Sequence, residues 1–343
     1  MTKPTLHLIA GPTASGKSAL ALEIARRERG TIINADAMQV YAGLPILTAQ
    51  PSLEDRAEIP HELYEVFDPT ERSSAGIWLV LAQEAIDRTV KAERTPIVVG
   101  GTGLYFKALL EGLAEIPSIP KDLRDAAQKL YTELGPDAFR AELAKLDPAS
   151  AEHIKPNDKQ RLIRAYEVAL HTGKPIGYWQ SGIKNPVSGQ ERENSSPCHS
   201  LVSDREVRRG GDRPGEDFAL QKPTAQPLFS PPSLTLPARG REFTRSFSLT
   251  PHLFLPPRDE LYASCDKRFL QMMERGAIEE VRALLTRRLD PDLPAMKILG
   301  VREIAAYLQN KATREEAIAK ARQATRNYAK RQMTWFRNQW KQP

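Results

Sequence analysis

The sequence predicts an α/β fold: a parallel-sheet core wrapped by helices, with an inserted all-helical domain and a helical C-terminal region. Three observations predict it. Apolar runs at 6–10, 31–34 and 96–99 alternate with amphipathic helical stretches over the first 112 residues, the pattern of a doubly wound sheet. Residues 121–183 carry helical periodicity with no strand-like run, and helical spacing returns from 258 to the C terminus.

The first run leads into Gly11, Pro12, Thr13, Ala14, Ser15, Gly16, Lys17 and Ser18, and 19–25 continue at helical spacing. Strand, glycine loop and helix form the context that the pattern G-x-x-x-x-G-K-[ST] requires, so the core is P-loop NTPase-like. Gly11 and Gly16 let the backbone turn its N–H groups inward, and the helix beginning near Lys17 adds its positive end. Lys17 supplies a cation for an outer phosphate, and the Ser18 hydroxyl can ligate Mg²⁺. A ligand bearing a pyrophosphate or triphosphate is expected here; the bland alternative is a tight strand–helix turn.

The second run ends in Asn34-Ala35-Asp36-Ala37-Met38-Gln39. Ligands of open α/β sheets sit at such strand ends, so Asp36 can act on whatever the loop holds. Position alone equally allows a cap or turn residue. Residues 62–67 read as a short strand and 74–94 as a long helix capped near Ser73 or Ser74. Residues 96–99 read as a central strand buried on both faces. It ends in Gly100-Gly101-Thr102-Gly103, where glycines allow close approach of a ligand and Thr102 can hydrogen-bond it.

In the helical domain, segments 126–134 and 137–146 break at Gly135-Pro136 and Pro148, and Asp158 caps a third helix. Eight of the chain's 27 prolines fall between Pro186 and Pro237, where apolar periodicity disappears. Such a segment buries too little surface to offset its ordering entropy, so 184–247 is expected to be a disordered insert. The expected division is a core at 1–120, a helical domain at 121–183, the insert at 184–247, and a return strand with basic helices at 248–343. In the last part, 249–256 is strand-like, while 259–289 and 299–340 are helical.

The formal net charge is +6, and its distribution matters more than its size. Between Lys320 and Lys341 there are seven basic residues and no acidic one. Arg322, Arg326 and Lys330 share a helical face, with Tyr328, Trp335, Phe336 and Trp340 interleaved. A solvated face is the ordinary reading; aromatics beside an acid-free run favour polyanion binding. Cys198 and Cys265 lack zinc or redox spacing and point to a reducing compartment. No apolar stretch approaches a membrane span, and 6–10 is too short for a signal peptide. A cytoplasmic protein without a membrane partner is expected.

Together these motifs resemble the tRNA dimethylallyltransferase (tRNA isopentenyltransferase) family. The matching stretches are 11–18, Asp36 with Gln39 and Tyr41, 100–106, Asn157-Asp158 with Gln160-Arg161, Gly300 with Arg302-Glu303, and Thr325-Arg326 through Ala329-Lys330-Arg331-Gln332 to Thr334-Trp335-Phe336-Arg337. The resemblance implies transfer of a dimethylallyl group from dimethylallyl diphosphate to N6 of the adenine just 3′ of the anticodon of tRNA. It implies that the loop holds the diphosphate leaving group rather than ATP, with Mg²⁺ at Ser18 and Arg258 joining Lys17 in the clamp. Asp36 would orient and deprotonate the amine. Gln39 and Thr102 would position the flipped adenine, with Ala37 and Met38 beside it. Arg124, Gln160, Arg161, Leu162, Ile163 and Arg164 match positions that contact tRNA, and Arg326 and Lys330 would hold its phosphates. A monomer binding the anticodon stem-loop is expected.

Three features depart from the family pattern. Ala37 stands where the family usually has Ser, Leu47-Thr48-Ala49-Gln50 replaces G-T-A-K, and the family's bacterial members normally lack the Pro-rich insert. A small-molecule kinase would explain the loop and Asp36 but not the basic–aromatic C-terminal helix. A nucleic-acid-binding ATPase would usually end an apolar strand in an acidic residue; 96–99 ends in Gly100-Gly101.

Overall fold

The computed structural model describes residues 3–181 and 243–340. Five parallel strands, β1 (Thr5–Ala10), β2 (Gly30–Asn34), β3 (His61–Glu62), β4 (Thr95–Gly100) and β5 (Ser248–Leu253), are ordered β3-β2-β4-β1-β5. Central β4 lies between β2 and β1, and β1 pairs with it (Ile9 opposite Val99) and with β5 (Ile9 opposite His252). Twelve helices are described: α1 (Lys17–Arg27), α2 (Leu53–Glu58), α3 (Ala75–Lys91), α4 (Gly103–Glu111), α5 (Lys121–Leu146), α6 (Pro148–His153), α7 (Lys159–Thr172), α8 (Ile176–Ser181), α9 (Arg258–Glu274), α10 (Ala277–Thr286), α11 (Val301–Leu308) and α12 (Arg314–Gln339).

The period of two along each strand sorts the core into layers. Leu6, Leu8, Ile33 and Val98 face Trp78 and Ile86 of α3, Phe106 of α4 and Phe336 of α12. Ile9, Ile32, Ile97 and Val99 face Ala21, Ile24 and Ala25 of α1. Each large side chain so buried contributes about 1.5–3 kcal/mol. Double-sided burial explains why these strands read as continuous apolar runs. A further cluster packs Val40, Tyr41, Leu44 and Leu47 against Phe269, Met272, Val281 and Ile304, tying the 38–50 loop to the C-terminal helices. Helices α5–α7 share their own core around Phe139, Leu143 and Leu162.

Several caps fall where expected. Ser74 accepts from Ile77 N at 3.2 Å, Asp158 accepts from Arg161 N at 3.3 Å, and α5 kinks at Gly135, whose φ is 76°. Other expectations need correction. The helix expected over 259–289 is two helices, because Gly276 at φ 107° breaks the chain between α9 and α10. The one expected over 299–340 is also two: Asn310 turns at φ 56°, and a capping box of Thr313 and Glu316 starts α12 afresh. Of the strand expected at 62–67, only His61–Glu62 pairs, with an isolated bridge from Phe67 to Tyr41. The last residues of the expected insert, 243–247, are folded: Phe247 is buried against the sheet core with Phe243 packed beside it. The rest of that stretch, from 184 to 242, lies outside the described residues, as does Cys198. Among the described residues no helix is long and apolar enough to cross a membrane.

Candidate active site

At the C-terminal end of β1 the chain turns through 11–16 into α1. Gly11 is required by a close approach: a Cβ there would stand 2.6 Å from the Phe254 carbonyl oxygen. Gly16 takes the left-handed conformation, φ 91°, as N-cap of α1. No side chain caps this helix and its first turn holds no acid, so its N–H groups and positive end face an anion site. They line a pocket of about 130 Å³ with Thr13, Ser15, Lys17, Ser18, Asp36, Gln39, Thr48, Ala49, Tyr64, Gly101 and Arg268. Residues 13–18, Asp36 and Gln39 are thus brought together in one pocket, which Gly11, Pro12 and Thr102 do not line.

Lys17 donates from Nζ to the Pro12 carbonyl and to Ser15 Oγ (3.4 Å). Burial pushes its pKa down to about 7, against the attraction of Asp36 and with the repulsion of Arg268. Arg268, on α9, donates to the Thr13 hydroxyl, and burial lowers its pKa as well. Two cations and the loop N–H groups therefore converge on one small volume. That arrangement accommodates a multiply charged phosphate ligand.

Asp36 is held by its own turn. Its N–H donates to Asn34 Oδ1 at 2.8 Å, and its Oδ1 accepts from Met38 N at 2.9 Å. Thr102 fixes the neighbour: its hydroxyl accepts from Ala37 N at 2.9 Å and is in hydrogen-bond contact with Tyr328. Tyr64 and Tyr328 both feel the Asp36 charge, and burial raises both phenols above their ordinary pKa. Gln39 donates to the carbonyls of Thr48 (2.9 Å) and Ala49 (3.0 Å). Gln50 donates to Tyr41 O at 3.1 Å and accepts from Arg56 at 2.7 Å. The departing loop is further pinned by Glu280, which accepts from Ile46 N (2.6 Å) and Leu47 N (2.9 Å).

Three expectations change. Arg258 does not line the pocket; it lies exposed in the first turn of α9, over the Tyr262 ring at 5.0 Å. Arg268 stands there instead, ten residues and about 15 Å further along the helix. Gly100 and Gly101 line the pocket as expected, and their lack of side chains also admits protein: a Cβ would stand 2.1 Å from Ala35 O at Gly100, and 2.3 Å from Gln332 Nε2 at Gly101. Leu162 and Ile163 are buried in the core of the helical region and present no side chain to RNA. Arg326 is engaged internally, with Nη1 at 2.8 and 2.7 Å from the Asp266 carboxylate, which also binds Arg322.

The remaining RNA candidates divide by burial. Arg124, Gln160, Arg161 and Lys330 are exposed. Arg161 lies 3.5 Å from Asp158, and Arg164 lies 3.5 Å from buried Glu167. Burial lowers the Arg164 pKa and raises that of Glu167. Arg268 and Gln332 were missed by sequence reasoning. Each is a long polar residue on a helical stripe that is otherwise small or apolar, Leu261-Cys265-Arg268-Met272 and Ala321-Thr325-Ala329-Gln332-Phe336, and that is the signal that finds them.

The fold and pocket define a phosphate-loop α/β protein in which a carboxylate faces the phosphate site. The IPP transferase family model matches residues 39–209 and 233–339, and the isopentenyl transferase model matches 4–59. The match therefore runs into the Pro-rich stretch from both sides, leaving 210–232 between. A tRNA dimethylallyltransferase from Rhodospirillum centenum is 46% identical over 338 residues, 98% of this chain and 90% of the relative. Another from a Caulobacter species is 43% identical over 99% of this chain and 91% of its own. Among solved structures, a tRNA isopentenylpyrophosphate transferase from Staphylococcus epidermidis aligns with TM-score 0.58 and 27% identity, covering 99% of this chain and 92% of its own. A eukaryotic dimethylallyltransferase acting on tRNA aligns with TM-score 0.68 at 24% identity, over 98% of this chain and 70% of its own, a likeness of fold. The chain belongs to the tRNA dimethylallyltransferase (IPP transferase) family.

Proposed function

We propose that this protein transfers the dimethylallyl group of dimethylallyl diphosphate to N6 of the adenosine immediately 3′ of the anticodon in tRNA, releasing diphosphate. One observation carries the reading: Lys17, Arg268 and the loop N–H groups share a single pocket with Asp36. In the reaction the allylic C1–O bond breaks and the N6–C1 bond forms. The electron pair of the broken bond leaves on the diphosphate, where the loop N–H groups, Lys17 and Arg268 meet the developing charge. Asp36 takes the amine proton, because an aromatic exocyclic amine is a weak nucleophile until that proton is removed. Thr102, through Ala37 N, holds Asp36 in register with the loop.

Mg²⁺ fits the oxygen donors of this pocket. The Ser18 hydroxyl would hold it together with the ligand's phosphate oxygens, and the ion would neutralise leaving-group charge. The acceptor base must leave its stack to reach so narrow a pocket, with exposed Arg124, Gln160, Arg161 and Lys330 meeting the anticodon stem-loop. We place the enzyme in the cytoplasm as a monomer. The test is transfer from labelled dimethylallyl diphosphate to an unmodified anticodon stem-loop RNA, with an RNA lacking that adenosine as control. Label in the control, or ATP hydrolysis without transfer, overturns the reading.

A further inference from the structure

Gln332 lies on the inward stripe of α12 and is 6% exposed. Its Oε1 accepts the Thr13 N–H at 2.8 Å, and its Nε2 donates to the Gly101 carbonyl at 2.8 Å. Thr13 belongs to the phosphate loop. Gly101 precedes Thr102, whose hydroxyl holds Ala37 beside Asp36. One side-chain amide thus bridges the wall that grips phosphate and the wall that carries the carboxylate. The glycine at 101 reflects how closely the bridge is drawn, since a Cβ there would stand 2.3 Å from Nε2 and 3.3 Å from Asp36 Oδ2. Gly103 admits Trp335 in the same way, its Cβ falling 2.1 Å from the indole ring. Helix α12 is therefore seated on this turn through both Gln332 and Trp335.

We propose that Gln332 is a positioning residue that sets the separation between the phosphate loop and the Asp36–Thr102 wall, and so the approach of acceptor amine to donor carbon. The proposal rests on the transferase reading of the pocket. An amide is the group the place demands, since it accepts from Thr13 with one atom and donates to Gly101 with the other. Glutamate keeps the first bond, has no N–H for the second and brings another carboxylate toward Asp36. Methionine fills the space and makes neither bond. Reacting groups displaced by about 1 Å lose about 10²-fold in rate, so the effect belongs in kcat.

The test uses the full chain with Gln332→Met and Gln332→Leu. Three quantities are read: transfer kinetics, affinity for inorganic diphosphate by calorimetry, and amide hydrogen exchange of the 11–18 peptide. We expect kcat to fall about 10²-fold in Gln332→Met, with both KM values and diphosphate affinity within about threefold of wild type and faster exchange at 11–18. A folded Gln332→Met with kcat within about twofold of wild type overturns the proposal. So does a loss of diphosphate affinity as large as the loss of kcat/KM, which would make Gln332 part of ligand binding. Should Gln332→Met not fold, Gln332→Leu, which makes neither bond and adds no charge, decides by the same split. If wild type transfers no prenyl group, the functional reading fails by itself. Exchange at 11–18 still judges the bridge, and rates equal in wild type and variant overturn it.

Discussion

Arg268 donates a hydrogen bond to the Thr13 hydroxyl, fastening α9 to the phosphate loop. Burial lowers its pKa, against the attraction of the Asp36 carboxylate. An anionic ligand would repay that desolvation. Arg268→Gln is expected to weaken inorganic diphosphate about 10–100-fold, the range of a charge-assisted bond. Arg268→Lys should recover part of it, lacking the planar fork. Calorimetric titration of both variants checks this; unchanged affinity in Arg268→Gln removes the residue from the clamp.

Lys17 gives the site a pH dependence. Its pKa in the folded protein is about 7, chiefly through burial, so the ammonium is present below that value and lost above it. A bound anion favours the charged form, so binding above pH 7 takes up a proton and affinity falls as pH rises from 7 to 9. The unfolded chain holds this proton up to the ordinary lysine value, so the same group makes folding more favourable as pH rises through that window. Calorimetry in two buffers of different ionisation enthalpy reads the proton uptake, and Lys17→Gln subtracts the ligand's own titration. Equal uptake by wild type and variant contradicts the assignment.

Asp36→Asn preserves the turn, because the amide oxygen still accepts from Met38 N, while basicity is lost. Turnover is expected to fall about 10²-fold or more with the donor KM little changed. Near-normal kcat would take Asp36 out of the chemistry.

The core was legible because its strands are buried on both faces: runs such as 96–99 admit no helical reading when they end in glycine. The phosphate loop was legible because a short backbone cradle has nearly one spelling. The C-terminal helices were blurred together because across Gly276 the apolar stripe resumes at the same spacing, Phe269-Met273-Ala277-Val281, and the turn at Asn310 has no glycine or proline beside it to mark it. Arg268 was invisible as a ligand group because its partners come from loops over 200 residues away, as with Thr13 at a separation of 255. For Arg326 the i, i+4 spacing was real, but only the packing of α9 on α12 reveals that Asp266 occupies that face.

That last pairing separates two residues which sequence treats alike. Arg326 is 24% exposed and shares Asp266, 18% exposed, with Arg322; Lys330, one turn on, is exposed and makes no ion pair among the described residues. If Lys330 meets an RNA phosphate, Lys330→Ala should weaken binding across sequences and reduce the salt slope of RNA affinity by about one unit, leaving stability unchanged. Arg326→Ala should act the other way. Removing one of two partners from a mostly buried carboxylate is expected to cost about 1–2 kcal/mol of stability, because the pair is hydrogen-bonded as well as charged. Its effect on the salt slope should be small, since its charge is already spent on Asp266. Urea denaturation and RNA titrations at several salt concentrations, run on both variants, decide the matter. A slope change in Arg326→Ala as large as that in Lys330→Ala, with stability intact, would mean that Arg326 leaves Asp266 to bind RNA.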